Sequence, residues 1–132
     1  MFDKLEILNM AHGMATHAAS RQAVLARNIA NADTPGYRAR DISSFADSYT
    51  QAGDFTPRQT RAGHRAATGP GGPDLAEHIV RGQSTSPNGN GVSLEVEMTK
   101  AAETRVQHDM ALGVYKTTLG ILRASLGKEG TA

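Results

Sequence analysis

The chain has 132 residues, 39% of them hydrophobic, with 14 glycines, 5 prolines and no cysteine. That suits one modest domain without disulfides or thiolate chemistry, and its apolar residues are too few and too segregated for an ordinary globular core. A net charge of +1 with scattered arginines argues against nucleic-acid binding, which needs a clustered cationic face.

No apolar run reaches the ~20 residues of a membrane span. Met1-Phe2-Asp3-Lys4-Leu5-Glu6 lacks the basic region and apolar stretch of a cleavable secretory signal. The first helix is predicted from residue 3 to about 31. Asp3 caps it with Glu6 completing a capping box, and Phe2 and Ile7 stand where a hydrophobic staple would. Leu8, Ala11, Ala15, Ala18, Gln22, Leu25 and Ile29 recur at alternating spacings of three and four, an a/d seam. Alanine dominates its middle, so a partner helix can approach closely there. Gln22 is its polar member and a candidate for fixing register.

The helix stops at Asn28-Ile29-Ala30-Asn31-Ala32-Asp33-Thr34-Pro35-Gly36-Tyr37. Pro35 pushes Thr34 out of helical geometry. Pro35-Gly36 fits the centre of a type II turn, with glycine at the position that needs positive φ. Asn31 sits where a helix end uses a left-handed asparagine. Tyr37 follows as an anchor, and Arg38, Arg40 and Asp41 are read as keeping the exit wet.

Residues 42–91 change character, because glycine and proline interrupt every helical period. Ser43 to Tyr49 fits a short helix, and Leu75 to Val80 forms a short apolar island. The rest lacks apolar surface to offset its ordering entropy, so an irregular or flexible insert is expected. A second long helix is predicted from Ser93 to about Leu126, with Ser93 as cap and Gly127 as stop. Its seam reads Leu94, Met98, Ala101, Arg105, His108, Leu112, Tyr115, Leu119, Leu122 and Leu126. Met110, Val114 and Ile121 lie off that seam, and a helix apolar on two faces has two partners, its own chain and a neighbouring subunit.

The stretch Asn28 to Asp41, with Asn28, Asn31, Thr34, Pro35, Gly36 and Tyr37 as its motif turn, resembles the N-terminal motif of the bacterial flagellar axial proteins. Asn88-Gly89-Asn90-Gly91-Val92-Ser93-Leu94-Glu95-Val96-Glu97-Met98 resembles that family's lead-in to its C-terminal helix. The resemblance covers roughly residues 5–45 and 87–126, and His108 departs from an aromatic often found there. It implies a self-assembling subunit exported through the flagellar type III apparatus without a cleavable signal. Larger family members carry extra domains between the same two helices. The short insert here implies a proximal-rod subunit in the periplasm, transmitting motor torque as part of a drive shaft. Implied partners are copies of itself, other rod subunits, and components of the inner-membrane ring and export gate.

Nothing in the sequence supports catalysis. His12 and His17 are five apart and do not share a helix face as metal ligands would. His64 and His78 fall in the insert, and adjacent His108 and Asp109 point in different directions. Ser20, Ser43 and Ser125 have no evident base and orienter. Asn88-Gly89-Asn90-Gly91 is a turn signal with too few carboxylates for calcium. No enzyme, cofactor, metal, small-molecule substrate or nucleic-acid partner is expected.

The fold expected is mainly α, with long N- and C-terminal helices pairing as an antiparallel coiled-coil-like hairpin around a Gly/Pro-rich insert. Its parts are 1–41, 42–91 and 92–132, the two ends forming one domain. Expected subunit or helix interface residues are Leu8, Ala11, Ala15, Ala18, Leu25, Ile29, Met98, Leu112, Tyr115, Leu119, Leu122 and Leu126. Periodicity alone equally fits an intracellular helical-hairpin adaptor or export chaperone that binds a client helix.

Overall fold

A computed structural model describes residues 2–52, 75–81 and 89–127. In chain order these form α1 (Phe2–Ala30), β1 (Arg40–Ile42), α2 (Phe45–Ala52), β2 (Glu77–Ile79) and α3 (Leu94–Gly127). α1 and α3 pack against each other as an antiparallel hairpin: Asn28 near the end of α1 meets Glu97 near the start of α3, and Ala18 and Thr104 border one groove farther along. The expected helical hairpin is the observed fold. The expected irregularity of residues 53–74 and 82–88 lies outside the described residues, and α1 already includes Phe2 and Asp3, so Asp3 does not stand at the cap position expected of it.

The seam between the long helices differs from the one drawn from apolar periodicity. On α1 the inward positions are Ala11, Ala18 and Leu25, as anticipated, together with Arg21 and Asn28. Gln22 is exposed, and Ala15 and Ile29 are half-buried. α3 repeats the pattern. Glu97, Thr104 and Ala111 are buried, and Ala101, His108 and Leu122 are half-buried beside them, whereas Met98 and Arg105 point outward. Several buried positions stand one residue before an expected one: Asn28 before Ile29 on α1, and Glu97, Thr104 and Ala111 before Met98, Arg105 and Leu112 on α3. The alanines let the backbones approach closely, and Leu25 is the bulkiest of the fully buried side chains.

After α1 the chain turns as the Pro-Gly signal requires. The Tyr37 N–H donates to the Thr34 carbonyl at 3.2 Å, and Gly36 takes φ +76°, the left-handed position of a type II turn. Asn31 does not adopt the left-handed conformation expected of it, since among the described residues only glycines have positive φ. It closes the helix through its side chain instead: Nδ2 donates to the Arg27 carbonyl at 2.8 Å, and Oδ1 accepts from the Thr34 hydroxyl at 3.2 Å. A polar side chain that reaches back this way removes the need for a strained backbone.

β1 and β2 form a two-stranded antiparallel sheet with Asp41 opposite His78 and Ile42 opposite Glu77. The short helix follows at Phe45, where Ser44 caps it: its Oγ accepts from the Asp47 N–H at 3.3 Å and donates to the Asp47 carboxylate at 2.6 Å. His17 ties this segment to α1. Its Nε2 donates to the Ser43 carbonyl at 2.7 Å, and its ring meets Phe45 edge-on at 5.7 Å.

Candidate functional site

The turn after α1 and the segment leading into α3, remote in sequence, lie against each other. The Gly91 N–H donates to the Tyr37 carbonyl at 3.0 Å, and Arg38 and Gly91 form a parallel bridge. A Cβ on Gly91 would sit 3.5 Å from the Tyr37 oxygen, and one on Gly89 would sit 3.9 Å from the Gly36 nitrogen. Both are ordinary contact distances, so what glycine supplies at position 89 is its φ of +73°.

Beneath that contact is a buried polar cluster. Asn28 is fully buried, and its carboxamide uses both donors and both acceptor lone pairs. Nδ2 donates to the Arg40 carbonyl at 2.6 Å and to the Glu97 carboxylate at 2.7 Å. Oδ1 accepts from the Arg40 N–H at 3.1 Å and, at 3.4 Å, from the Tyr37 hydroxyl. Arg40 therefore has a side chain on its inner edge where a sheet would supply a strand.

Asp41 was read as a wet exit residue, but it is buried. Arg21 grips its carboxylate with two bonds of 2.8 and 2.9 Å, the Ile42 N–H donates to it at 2.8 Å, and Lys100 Nζ stands 3.6 Å away. Lys100 also reaches Glu97 at 3.2 Å, so one ammonium serves two carboxylates. Burial alone would raise the Asp41 carboxyl. The Arg21 hydrogen bonds, the Ile42 N–H and the charges of Arg21 and Lys100 outweigh it and hold the group below its ordinary range. Asp41 in turn pushes the Arg21 guanidinium above its ordinary value. Two cations and two anions balance, so the cluster is neutral and internally satisfied. Such arrangements specify geometry more than they stabilise, yet removing one partner strands another in a dry site.

At the rim, Glu77 on β2 accepts from Arg27 at 3.1 Å and lies 3.5 Å from Arg40. These exposed pairs contribute little energy but hold β2 beside the end of α1. Farther along the hairpin is a groove of about 450 Å³, walled by Ala18, Ala19 and Gln22 on one side and Thr104, Arg105 and His108 on the other. His108 Nδ1 stands 3.7 Å from Asp109, although adjacent helical residues were expected to diverge. Among the described residues no group of three or more acidic or histidine side chains is placed to hold a metal ion, and no helix is long and apolar enough to cross a membrane.

Of this cluster, Arg21, Asn28 and Tyr37 lie in the part of the chain that matches a family of known proteins. Residues 8–38, from the first helix through the turn, match the family of the flagella basal body rod protein. Over 111 residues the chain is 36% identical to the flagellar basal body rod protein FlgB of Cereibacter sphaeroides, covering 83% of this chain and 85% of that protein. The chain belongs to the flagellar basal body rod protein family. It is also similar to FlgB of Escherichia coli strain K12, 33% identical over 138 residues covering 94% and 99% of the two chains. For FlgB of Salmonella typhimurium the identity is 32% over 129 residues, covering 90% and 92%.

Within this rod protein the proposed interface residues divide into three groups. Ala11, Ala18 and Leu25 are enclosed by the chain itself, and Leu8, Ala15, Ile29, Leu112, Leu119 and Leu122 are half-buried at its margins. Met98, Tyr115 and Leu126 are exposed. Of the motif residues, Asn28 is buried at the centre of the polar cluster, Tyr37 and Asn31 are half-buried, and Thr34, Pro35 and Gly36 face solvent. Arg21, Asp41, Glu97 and Lys100 were missed as parts of a common site. Their only sequence signal was the position of Asp41 and Glu97 inside the two motif stretches.

Proposed function

We propose that this chain is a structural subunit of the proximal rod of the flagellar basal body, where it transmits motor torque as part of the drive shaft. The observation that carries the reading is the outer face of α3. Val106, Met110, Val114 and Ile121 form a stripe turned away from α1, and all four are exposed. Leu5, Ile7 and Met10 add exposed apolar surface on α1. A hairpin with this much uncovered apolar surface along its length fits one whose outer faces are covered by neighbours. Family membership supplies the setting, and relatives are named as basal body rod proteins.

In this reading the chain leaves the cytoplasm through the flagellar export apparatus without a cleavable signal and comes to rest in the periplasm. Its neighbours are copies of itself, other rod subunits, and components of the inner-membrane ring and export gate. Exposed Met98, Tyr115 and Leu126, off that stripe, add further contacts between subunits. Load is shared by many small helix–helix interfaces, so no single contact needs to be strong. The role is mechanical and calls for no catalytic residue.

Met110→Asp and Val114→Asp test the proposal, because both positions are exposed and neither side chain is enclosed by the hairpin. The expected result is a variant secreted at the native level and absent from purified basal bodies, with motility lost. Normal incorporation of both variants would overturn the outer stripe as an assembly surface. A stable one-to-one complex with a cytoplasmic helix would favour an adaptor instead.

A further inference from the structure

We infer that α3, acting through Glu97 and the Asn28 carboxamide, is what gives residues 37–42 their shape, so that the turn and β1 order as one unit with the docked C-terminal helix. The inference concerns the isolated chain and does not depend on its place in a rod.

The argument starts from hydrogen bonds. β1 has β2 on its outer edge alone, where the Val80 N–H donates to the Ala39 carbonyl at 2.9 Å. On the inner edge both backbone groups of Arg40 go to one side chain, Asn28. A carboxamide on a helix can rotate about its own bonds, and here its orientation is fixed by the 2.7 Å bond to Glu97, which is fully buried on α3. Without Glu97, one Asn28 N–H would face a dry interior with no acceptor, and the side chain would gain by turning towards water.

Other contacts reach the same short segment from the same direction. Tyr37 and Arg38 are held by Gly91 in the lead-in to α3. Lys100 on α3 approaches Asp41 at 3.6 Å. α1 contributes Arg21 and Asn28, but only Asn28 touches the backbone of Arg40. A segment held from both helices opens cooperatively when either is released.

The test is amide hydrogen exchange on the full chain, comparing the native sequence with Glu97→Ala, Glu97→Gln and Ala111→Gly. Loss of one buried hydrogen bond corresponds to about tenfold in an opening equilibrium. Glu97→Ala is expected to speed exchange at residues 38–42 by about that factor and to affect residues 11–18 of α1 much less. Glu97→Gln retains an acceptor oxygen and is expected to keep most of the protection. Ala111→Gly loosens α3 away from the cluster and should not single out residues 38–42.

The reciprocal pair guards against a variant that simply unfolds. Asn28→Asp places two carboxylates together and is expected to expose residues 38–42, and adding Glu97→Gln supplies a donor and should restore part of the protection. The inference is overturned if residues 38–42 keep native protection in Glu97→Ala, or if Glu97→Ala and Ala111→Gly raise exchange uniformly. It is equally overturned if Glu97→Gln brings no recovery to Asn28→Asp.

Discussion

Replacing Gly36 with valine isolates a single physical effect. An added Cβ at this position meets nothing within 4 Å, so the substitution creates no clash with the rest of the molecule. What remains is the backbone. Gly36 has φ +76°, a region that a β-branched residue tolerates badly, at about 1–3 kcal/mol. Gly120 supplies the control, because an added Cβ there also meets nothing within 4 Å but the residue lies inside α3. Gly120→Ala should therefore stabilise by about 0.5–1 kcal/mol, since alanine loses less backbone entropy in a helix. Gly36→Asn should fall between native and valine, because asparagine visits the left-handed region more readily. Urea unfolding followed by circular dichroism on all three variants gives the differences directly. If Gly36→Val is as stable as the native chain, or if Asn and Val are equally damaging, the positive φ is not what glycine supplies there.

Other expectations follow from burial and charge. Leu25→Ala should destabilise by about 2–5 kcal/mol, as Leu25 is fully buried, whereas Met98→Ala at a site 58% exposed should change the urea midpoint little. Asp41 titrates below its ordinary value in the native state, so the unfolded chain binds more protons in acid. Its contribution is then fully present above the unfolded pKa near 3.8 and is lost as pH falls through the lower native value. Asp41→Asn should be less stable at neutral pH, with a urea midpoint that falls less steeply than the native one on acidification. Equal slopes for the two proteins would remove Asp41 as the source of that dependence.

Sequence periodicity located both long helices because their caps, stops and apolar spacing agree, and it located the turn because Pro35-Gly36 has few other uses. It did not find the polar side chains between the helices. Apolar periodicity finds buried positions by their apolarity, and Asn28, Glu97 and Thr104 are polar residues at buried positions, with Arg21 half-buried beside them. Nothing local distinguishes Glu97 from Glu95 beside it, since both read as acids favouring a helix start. Their difference comes from a partner 69 residues away in Asn28. β1 and β2 were equally hidden. A strand of three residues has no alternation to read, and Asp41 inside it looked like solvent-facing charge.

The pairing of β1 with β2 has a consequence for how such a chain tolerates change in length. Ile42 and Glu77 are register partners, so the chain departs from the hairpin and comes back to it at neighbouring points. Adjacent strands lie only about 5 Å apart, and closing a longer excursion between fixed ends costs only about 0.6 kcal/mol for each doubling. An insertion placed after α2 and before β2, a few residues or a folded module, is expected to leave the spacing and register of α1 and α3 as they are. The paired strands thus separate two inheritances within one chain: a helical frame whose geometry is held constant, and an intervening stretch whose size is free to vary.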